Sequence, residues 1–399
     1  MVESVMKTIK SISILITTIL VLGLTEHTVR AFSFYSVSSQ KFDSSLIELT
    51  SQEYSQPDKI FVTQIGTKAK SLTRDPAKWV KSLFYYSITR LNLKDIPYTY
   101  LIDEDGLVYQ GKSGYIGADI GINDAKGVIM IGYLSNNAVM TNRAEESLKE
   151  IVDEIGANWG ISKIEAVTLD ISKNDNGLPT ISYSTSTDEF ADSIHGLFDE
   201  WTGYEKSNLK YKAEIQNLQY EKDIEVLKRT KIKLSVKNMN DFVWFTDIDP
   251  IYIATANGKD SNFAINQVWE SFSRPTSISG KAILPGETVD VEFEMEAKVQ
   301  VGEAKESFVL LKYNDEPFEG SNFDVILNVV SGNSTLVKVT SPQYGFVNVR
   351  ECQWYSCKVL DTINDGTVLI LLEEKDGWSR VKFSADAEGW IASRYLKKI

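Results

Sequence analysis

The spacing of apolar residues changes along the chain and predicts where helices and strands lie. Within residues 56–205, the runs "KIFVTQI", "YTYLIDEDGLVYQG" and "KGVIMIGYL" are rich in β-branched and aromatic residues, which predicts strands. The middle run predicts a hairpin that turns at Glu104-Asp105-Gly106. Helical spacing follows in "NRAEESLKEIVDEIGANWGI" and "STDEFADSIHGLFDEW", and a Trp-bearing helix is predicted over Asp75–Leu91. Strands interleaved with helices predict an α/β domain.

The two long helices carry signals for their first turns and for their buried faces. Asn142 with Glu145 resembles a capping box, and Ser186 with Glu189 gives the second helix the same signal. The predicted apolar faces are Leu148, Ile151, Val152, Ile155 and Trp159 in the first helix, and Phe190, Ile194, Leu197, Phe198 and Trp201 in the second.

Helical spacing is nearly absent from the second half of the chain. A charged connector, "EKSNLKYKAEIQNLQYEKD", leads into runs such as "TKIKLSVKN" and "TVDVEFEMEA", where apolar and charged residues alternate. "ESFVLLKYN" and "FDVILNVV" follow. Several short strands of period two predict a β-sandwich over residues 206–331. After the polar linker "SGNST", residues 337–399 are rich in Gly, Trp and Tyr and predict a last, small all-β domain.

The N-terminal residues differ from the rest. Lys7 and Lys10 precede "SISILITTILVLGL", an apolar run that is short for a membrane span, and Val29 and Ala31 supply small residues before a cleavage site. This order of basic, apolar and small residues predicts a signal peptide over residues 1–31, with an uncleaved N-terminal anchor as the alternative. Residues 32–55 are serine-rich and predict a flexible lead-in. In both cases we expect a secreted or cell-surface protein.

The amino-acid composition limits the classes of binding partner and indicates how the two cysteines are used. The chain has 42 basic and 55 acidic residues and a formal charge of −13, without a basic block, which argues against a nucleic-acid partner. Cys352 and Cys357 are the two cysteines and lie five positions apart. In an oxidising compartment, this spacing across a hairpin predicts a disulfide.

The C-terminal residues resemble a bacterial SH3 domain over their whole length. The matched positions are Asn348, Val349, Arg350, Gly366, Gly377, Trp378, Gly389, Trp390, Ile391, Tyr395 and Leu396. The resemblance implies a small barrel that attaches the protein to cell-wall peptide, with Trp378 and Trp390 in its core. Exposed aromatic residues are then the expected wall contacts, and we predict Trp354, Tyr355 and Tyr344 for this role.

The middle domain resembles an immunoglobulin-like sandwich. The matching positions are Trp244 after an Asn-rich turn, Trp269, Arg274, and the "PGE" of Pro285, Gly286 and Glu287. None of them carries chemistry, so the sandwich is expected to be a spacer or to bind another surface protein.

The first domain resembles N-acetylmuramoyl-L-alanine amidases and peptidoglycan recognition proteins, over about residues 58 to 202. The matched positions are Asp95, Ile96, Tyr98, Leu101, Ile102, Asp105, Gly106, Tyr109, Gly111, Gly117, Asn123, Ile131 and Gly132. The family's enzymes hold zinc with two histidines and a cysteine or aspartate. The resemblance therefore implies an amidase-like α/β fold around a peptidoglycan groove.

The zinc ligands of that family are missing from this sequence. Thr63 stands at the first histidine position, Thr168 at the second, in an expected H-R-D-like turn, and Asp119 near a loop histidine. The chain has two histidines in all, of which His27 lies in the predicted signal and His195 is expected to be a packing or surface residue. We therefore expect no metal, no cofactor and no catalytic residue of the zinc amidase type.

The sequence leaves three hypotheses about the function of the protein. The leading hypothesis is a catalytically inactive amidase-like domain that binds peptidoglycan or another cell-wall polymer beside a wall-binding SH3 domain. Its expected substrate-binding residues are Tyr98, Asn123, Asp119, Thr63 and Thr168. The alternatives are an active peptidoglycan hydrolase with a non-standard site, for which Asp103, Glu104, Asp105, Asp119 and Asp124 supply carboxylates, and an adhesion or scaffold protein.

Overall fold

The computed structural model describes residues 32–47, 52–123, 125–203, 209–312, 316–384 and 387–399. The predicted signal segment therefore lies outside the described residues. Two compact units are formed: the first contains residues 32–47, 57–113 and 120–203, and the second contains 52–56, 114–119 and the residues from 209 onward. In the part of the chain that the structure describes, none of the helices combines the length and the apolar character needed to cross a bilayer.

The first unit is built on one six-stranded mixed sheet, which confirms the predicted α/β class. Its strands are β1 (Lys59–Ile65), β2 (Tyr100–Asp103), β3 (Val108–Gln110), β4 (Val128–Leu134), β5 (Lys163–Lys173) and β6 (Pro179–Thr185), in the spatial order β3-β2-β4-β1-β5-β6. The central pairs β2–β4, β4–β1 and β1–β5 are parallel, and both edge strands are antiparallel. The central strand β4 is buried along its whole length, as expected for a parallel strand that is covered on both faces.

Among the described residues of the first unit, four α-helices accompany this sheet: α1 (Lys70–Thr73), α2 (Pro76–Thr89), α3 (Asn142–Trp159) and α4 (Glu189–Leu197). The predicted helices are present, but both predicted caps are wrong. Thr141 caps α3 by accepting the N–H of Ala144, and Asp188 caps α4 by accepting that of Ala191. In each case the side chain directly before the first helical residue is the one placed to accept an N–H of the first turn.

Residues 32–47 pack against the sheet and helix α2 within the first unit, contrary to the loose lead-in that their composition predicts. Tyr35 forms a parallel bridge with Tyr109 of β3, and their rings stack with centroids 5.3 Å apart. Phe32 is buried against the ring of Tyr100, and Phe42 stacks on Phe84 of α2. Aromatic burial and backbone pairing therefore order a segment whose serine content indicated flexibility.

The second unit contains a β-sandwich, as predicted. Its strands are β7 (Ala213–Gln219), β8 (Asp223–Glu225), β9 (Arg229–Asn238), β10 (Trp244–Phe245), β11 (Ile251–Thr255), β12 (Thr276–Ile278), β13 (Ala282–Ile283), β14 (Thr288–Glu296), β15 (Gly302–Leu311) and β16 (Phe323–Val330). A three-stranded sheet, β14-β9-β7, and a five-stranded sheet, β12-β11-β15-β16-β8, provide its main layers. Strand β7 lies inside the predicted connector, and its weak apolar pattern reflects an edge position where one residue of seven is fully buried.

The C-terminal residues form a seven-stranded all-β arrangement. Its strands are β17 (Thr335–Val339), β18 (Phe346–Arg350), β19 (Val359–Asn364), β20 (Val368–Lys375), β21 (Trp378–Ser384), β22 (Ala387–Ala392) and β23 (Leu396–Lys398), with a 3₁₀ turn at Ser393–Tyr395. Val337, Val349 and Ile391 belong to its own buried cluster. Leu336 and Ile370 instead join the core of the sandwich, so these two all-β parts form one compact unit.

Candidate functional site

The first candidate surface lies where β1 and β4 end side by side. Thr63 of β1 pairs with Gly132 of β4, and Thr63 is 4% exposed. A Cβ at Gly132 would lie 2.5 Å from Ile65 Cδ1 and 3.2 Å from Tyr98 Cδ1. The glycine therefore allows the Tyr98 ring to lie over the strand, next to the position of Thr63. Burial of this ring raises the pKa of Tyr98 to about 12, so its hydroxyl is neutral at ordinary pH.

The structure does not bring Thr168 to that surface. Thr168 lies within strand β5 rather than in the expected H-R-D-like turn. Val62 pairs with Ala166, and residues two apart in a strand share a face, so Thr168 points to the Val62 face while Thr63 points to the other. Thr168 is exposed, and its Oγ1 lies 2.8 Å from Ser186 Oγ. The two expected ligand positions are therefore on opposite faces of one sheet.

Aromatic side chains lie on the same face of the sheet as Thr63. The rings of Phe61 on β1 and Tyr183 on β6 lie 4.7 Å apart, and Tyr183 is 37% exposed. The motif comparison missed Tyr183, although the alternation in "TISYST" places it on the same face as the buried Ile181. On this face Phe61, Thr63 and Tyr98 are buried, and Tyr183 presents an aromatic ring and a hydroxyl group to solvent.

These residues do not fit a zinc ion. Structural and catalytic zinc sites use thiolate, imidazole or carboxylate donors, whereas Thr63 and Tyr98 offer neutral hydroxyl groups. Gln64 is engaged elsewhere, since its Nε2 donates to the carbonyl oxygens of Ser135 and Asn137 at 3.2 and 2.6 Å. Within the described ranges, no group of three or more His, Cys, Asp or Glu side chains is arranged to hold a metal. His195 is exposed on α4.

The remaining expected contacts of the first domain lie in loops. Asn123 is exposed, and its N–H donates to the carbonyl of Ile181 on β6 at 2.8 Å. Asp119 lies in segment 114–119, where its N–H donates to Glu53 O, and this segment belongs to the second compact unit. Asp124 lies outside the described residues.

The carboxylates of the β2–β3 hairpin have local structural bonds. Asp103 is 1% exposed and accepts hydrogen bonds from the N–H groups of Asp105 and Leu107 and from the hydroxyl of Tyr109. Burial raises the pKa of the Asp103 carboxyl, and these bonds partly counteract the rise. Glu104 accepts from Asn137 Nδ2 at 3.0 Å. These carboxylates therefore stabilise the β2–β3 hairpin through local hydrogen bonds.

The second candidate surface is a groove of about 250 Å³ in the C-terminal domain. Tyr344 and Tyr355, both predicted contacts, line it together with Tyr395, Asn348 and Arg350. Tyr344 and Tyr355 are 61% and 58% exposed. Trp378 is buried as expected and also reaches the groove, where its ring meets that of Tyr355 edge to face at 4.9 Å. Trp390 is half-buried rather than fully in the core.

A disulfide-closed loop carries one wall of this groove. Cys352 and Cys357 are disulfide-bonded, with Cα atoms 5.7 Å apart, and Tyr355 lies between them. Arg350 Nη1 donates to the carbonyl of Cys357 at 2.8 Å, which ties the loop to strand β18. Trp354, in the same loop, is 66% exposed and lies outside the lining of the groove. The loop therefore orients Tyr355 inward while Trp354 projects to solvent.

One family model matches the C-terminal part of the chain. Residues 345–397 match the family model described as "Bacterial SH3 domain". No curated protein matches the chain.

Among solved structures, the chain is similar to a peptidoglycan recognition protein from Alvinella pompejana, with 21% identity over 31% of this chain and 77% of that chain and a TM-score of 0.26. It is also similar to Drosophila peptidoglycan recognition protein SD, with 14% identity over 44% and 99% of the two chains and a TM-score of 0.30. A CARDB domain from Pyrococcus furiosus matches with 12% identity over 31% of this chain and 97% of that chain, at a TM-score of 0.22.

Proposed function

We propose that this protein is an exported, cell-wall-associated protein that binds peptidoglycan or a related wall polymer without hydrolysing it. The C-terminal domain provides the main attachment, and the amidase-like first domain adds a second contact. The observation that carries this proposal is the aromatic groove, because all of its lining residues except Tyr344 lie within residues 345–397, which match the bacterial SH3 family.

The groove has the chemistry that wall binding needs. Tyrosine rings give flat apolar contact area at low entropic cost, and their hydroxyl groups bond to polar ligands. Tyr344 and Tyr355 remain largely exposed, although a small domain gains stability by burying aromatic rings. The disulfide of the neighbouring loop is consistent with an oxidising, extracytoplasmic compartment.

For the first domain we propose binding at the exposed edge of this face, through Tyr183 and Asn123, with the buried Thr63 and Tyr98 packed beneath. Neutral hydroxyl, amide and aromatic groups are suited to holding a glycan or peptide, and they do not generate a metal-bound nucleophile. Thr168 is left out of this surface because it points to the other face of the sheet. Asp119 is left out because it belongs to the second unit.

The test is co-sedimentation of the purified exported protein with purified peptidoglycan, combined with dye release from labelled peptidoglycan. We expect retention without release of dye. The double variant Tyr344→Ala, Tyr355→Ala should lose most of the retention, whereas Tyr86→Ala, which removes an exposed ring from α2, should not. Release of dye would refute the proposal that the protein binds peptidoglycan without hydrolysing it. Failure of the wild-type protein to sediment would refute wall binding and favour adhesion through the sandwich.

A further inference from the structure

One cationic side chain stands over the rings of the groove in the C-terminal domain. The guanidinium carbon of Arg394 lies 4.8 Å from the ring centroid of Tyr395 and 5.8 Å from that of Tyr355. Its Nη2 donates to the Tyr395 hydroxyl at 3.0 Å. A guanidinium held against two rings has a defined plane and position, which reduces the entropy that it loses on binding a ligand.

The charge of the groove contrasts with that of the chain. Arg350 lines the groove and Arg394 overhangs it, while the described residues that line the groove include no carboxylate. Residues 337–399 contain nine Lys or Arg and eight Asp or Glu, whereas the whole chain has a formal charge of −13. A positive groove in an acidic protein is complementary to an anionic ligand.

The size and the polar groups of the groove favour the end of a short chain. Its volume of about 250 Å³ is below the range of roughly 300–1,000 Å³ that is typical of small-molecule sites. Asn348 adds a side-chain amide, which can donate to and accept from a peptide bond. A guanidinium offers two parallel N–H groups that match the two oxygens of a carboxylate.

We propose that this groove recognises a carboxylate-bearing peptide of the cell wall, with Arg394 binding the carboxylate. Tyr344, Tyr355 and Tyr395 pack against the peptide, and Asn348 bonds to its backbone. This inference rests on the proposed function, since it names the chemical class that the wall-binding groove selects. The disulfide loop serves as a positioning element, because it holds Tyr355 beside Arg394.

The experiment compares three preparations of the same purified peptidoglycan. One is untreated, one has its free carboxylates converted to amides with a carbodiimide and methylamine, and one has been stripped of phosphodiester-linked polymers with acid. The exported full chain is tested as wild type, Arg394→Gln, Arg394→Lys and Arg380→Gln. Arg380 is the matched control, because the change in charge is the same and its guanidinium faces Glu373 and Glu388 at 3.8 and 3.6 Å.

We expect amidation of the peptidoglycan to weaken the binding of the wild-type protein about tenfold. This is the loss expected when one charge-assisted contact at an exposed site is removed. Arg394→Gln should bind untreated wall about tenfold more weakly and should no longer respond to amidation. Arg394→Lys should fall between the two, since a lysine keeps the charge and loses the planar fork. Arg380→Gln should behave as wild type, and stripping the phosphodiester polymers should change nothing.

Equal binding of the wild type to untreated and amidated wall would overturn the carboxylate assignment while leaving wall binding intact. Loss of binding to the stripped wall would assign the anion to a phosphate polymer instead. An equal loss in Arg380→Gln and Arg394→Gln would show diffuse attraction rather than a groove. No binding to any of the three preparations would overturn the proposed function itself.

Discussion

A zinc-binding test can measure which face of the first sheet each side chain occupies. Thr63 and Val167 share a face of the sheet, because Val62 pairs with Ala166 and the next residue of each strand points the opposite way. We therefore predict that the double variant Thr63→His, Val167→His gains a zinc site. The variant Thr63→His, Thr168→His should not gain one.

The expected change in Tm on adding zinc follows from the coordination geometry of the metal. Two histidine nitrogens bound to one zinc each lie at roughly 2.0–2.1 Å from it, so they must approach within about 4.2 Å of each other. Side chains on neighbouring strands of one face can meet this limit, because the strands are about 4.8 Å apart. Side chains on opposite faces point away from each other and cannot. Zinc at 100 times its Kd stabilises a folded protein by about 2.7 kcal/mol, which corresponds to a rise in Tm of about 5–10 °C for a domain of this size.

The assay is thermal unfolding of each variant with zinc and with EDTA, so that each protein is its own reference. This comparison removes the destabilisation that the substitutions themselves cause, since Thr63 and Val167 are both buried. We expect a rise of several degrees for Thr63→His, Val167→His and a change below one degree for Thr63→His, Thr168→His. A zinc-dependent rise of equal size in both variants would show that our register of β5 is wrong.

Three further predictions concern metal, disulfide and pH. The wild-type exported protein should keep its Tm in EDTA, since Thr63 and Tyr98 supply no charged donor; a fall of several degrees would reveal a metal site elsewhere. Thiol labelling without reductant should leave Cys352 and Cys357 unmodified, and their replacement by serine should reduce the unfolding free energy by about 2 kcal/mol through loop entropy; two labelled thiols per native chain would contradict this. Burial raises the pKa of Asp95, which accepts from the N–H groups of Ile96 and Ser113. The folded state therefore holds a proton that the unfolded chain has released, so the stability contribution present at low pH is lost as the pH rises through the raised pKa. Urea titrations should show a flatter pH dependence in Asp95→Asn; an unchanged profile would remove Asp95 as the cause.

Much of the fold could be predicted because local patterns were strong. The three strand runs of the first domain became β1, the β2–β3 hairpin and β4, and Gly106 has the positive φ of 80° that its turn requires. The period-two runs of the second half became β9, β14, β15 and β16. The missed strand β7 and the packed segment 32–47 have weak local patterns, and long-range partners stabilise both.

The candidate sites were less predictable for the same reason. The absence of the zinc histidines follows from two histidines in the whole chain, so the sequence alone determined that this domain lacks the zinc-ligand set of the amidases that its motifs resemble. Sequence could not show that Thr63 and Thr168 lie on opposite faces, because a change of one residue in register exchanges the faces of a strand.

The groove shows the same division between sequence and tertiary structure. The sequence alone determined that tyrosines and a segment with two cysteines occur in a bacterial SH3-like domain. Only the tertiary structure brought Tyr344 and Tyr355 to Tyr395 and placed Arg394 over two of these rings. Residues some forty to fifty positions apart meet there because antiparallel pairing closes strands β18, β21 and β22 around one core. Local periodicity determines which way a side chain points along its own strand, and the pairing of distant strands decides which side chains it meets.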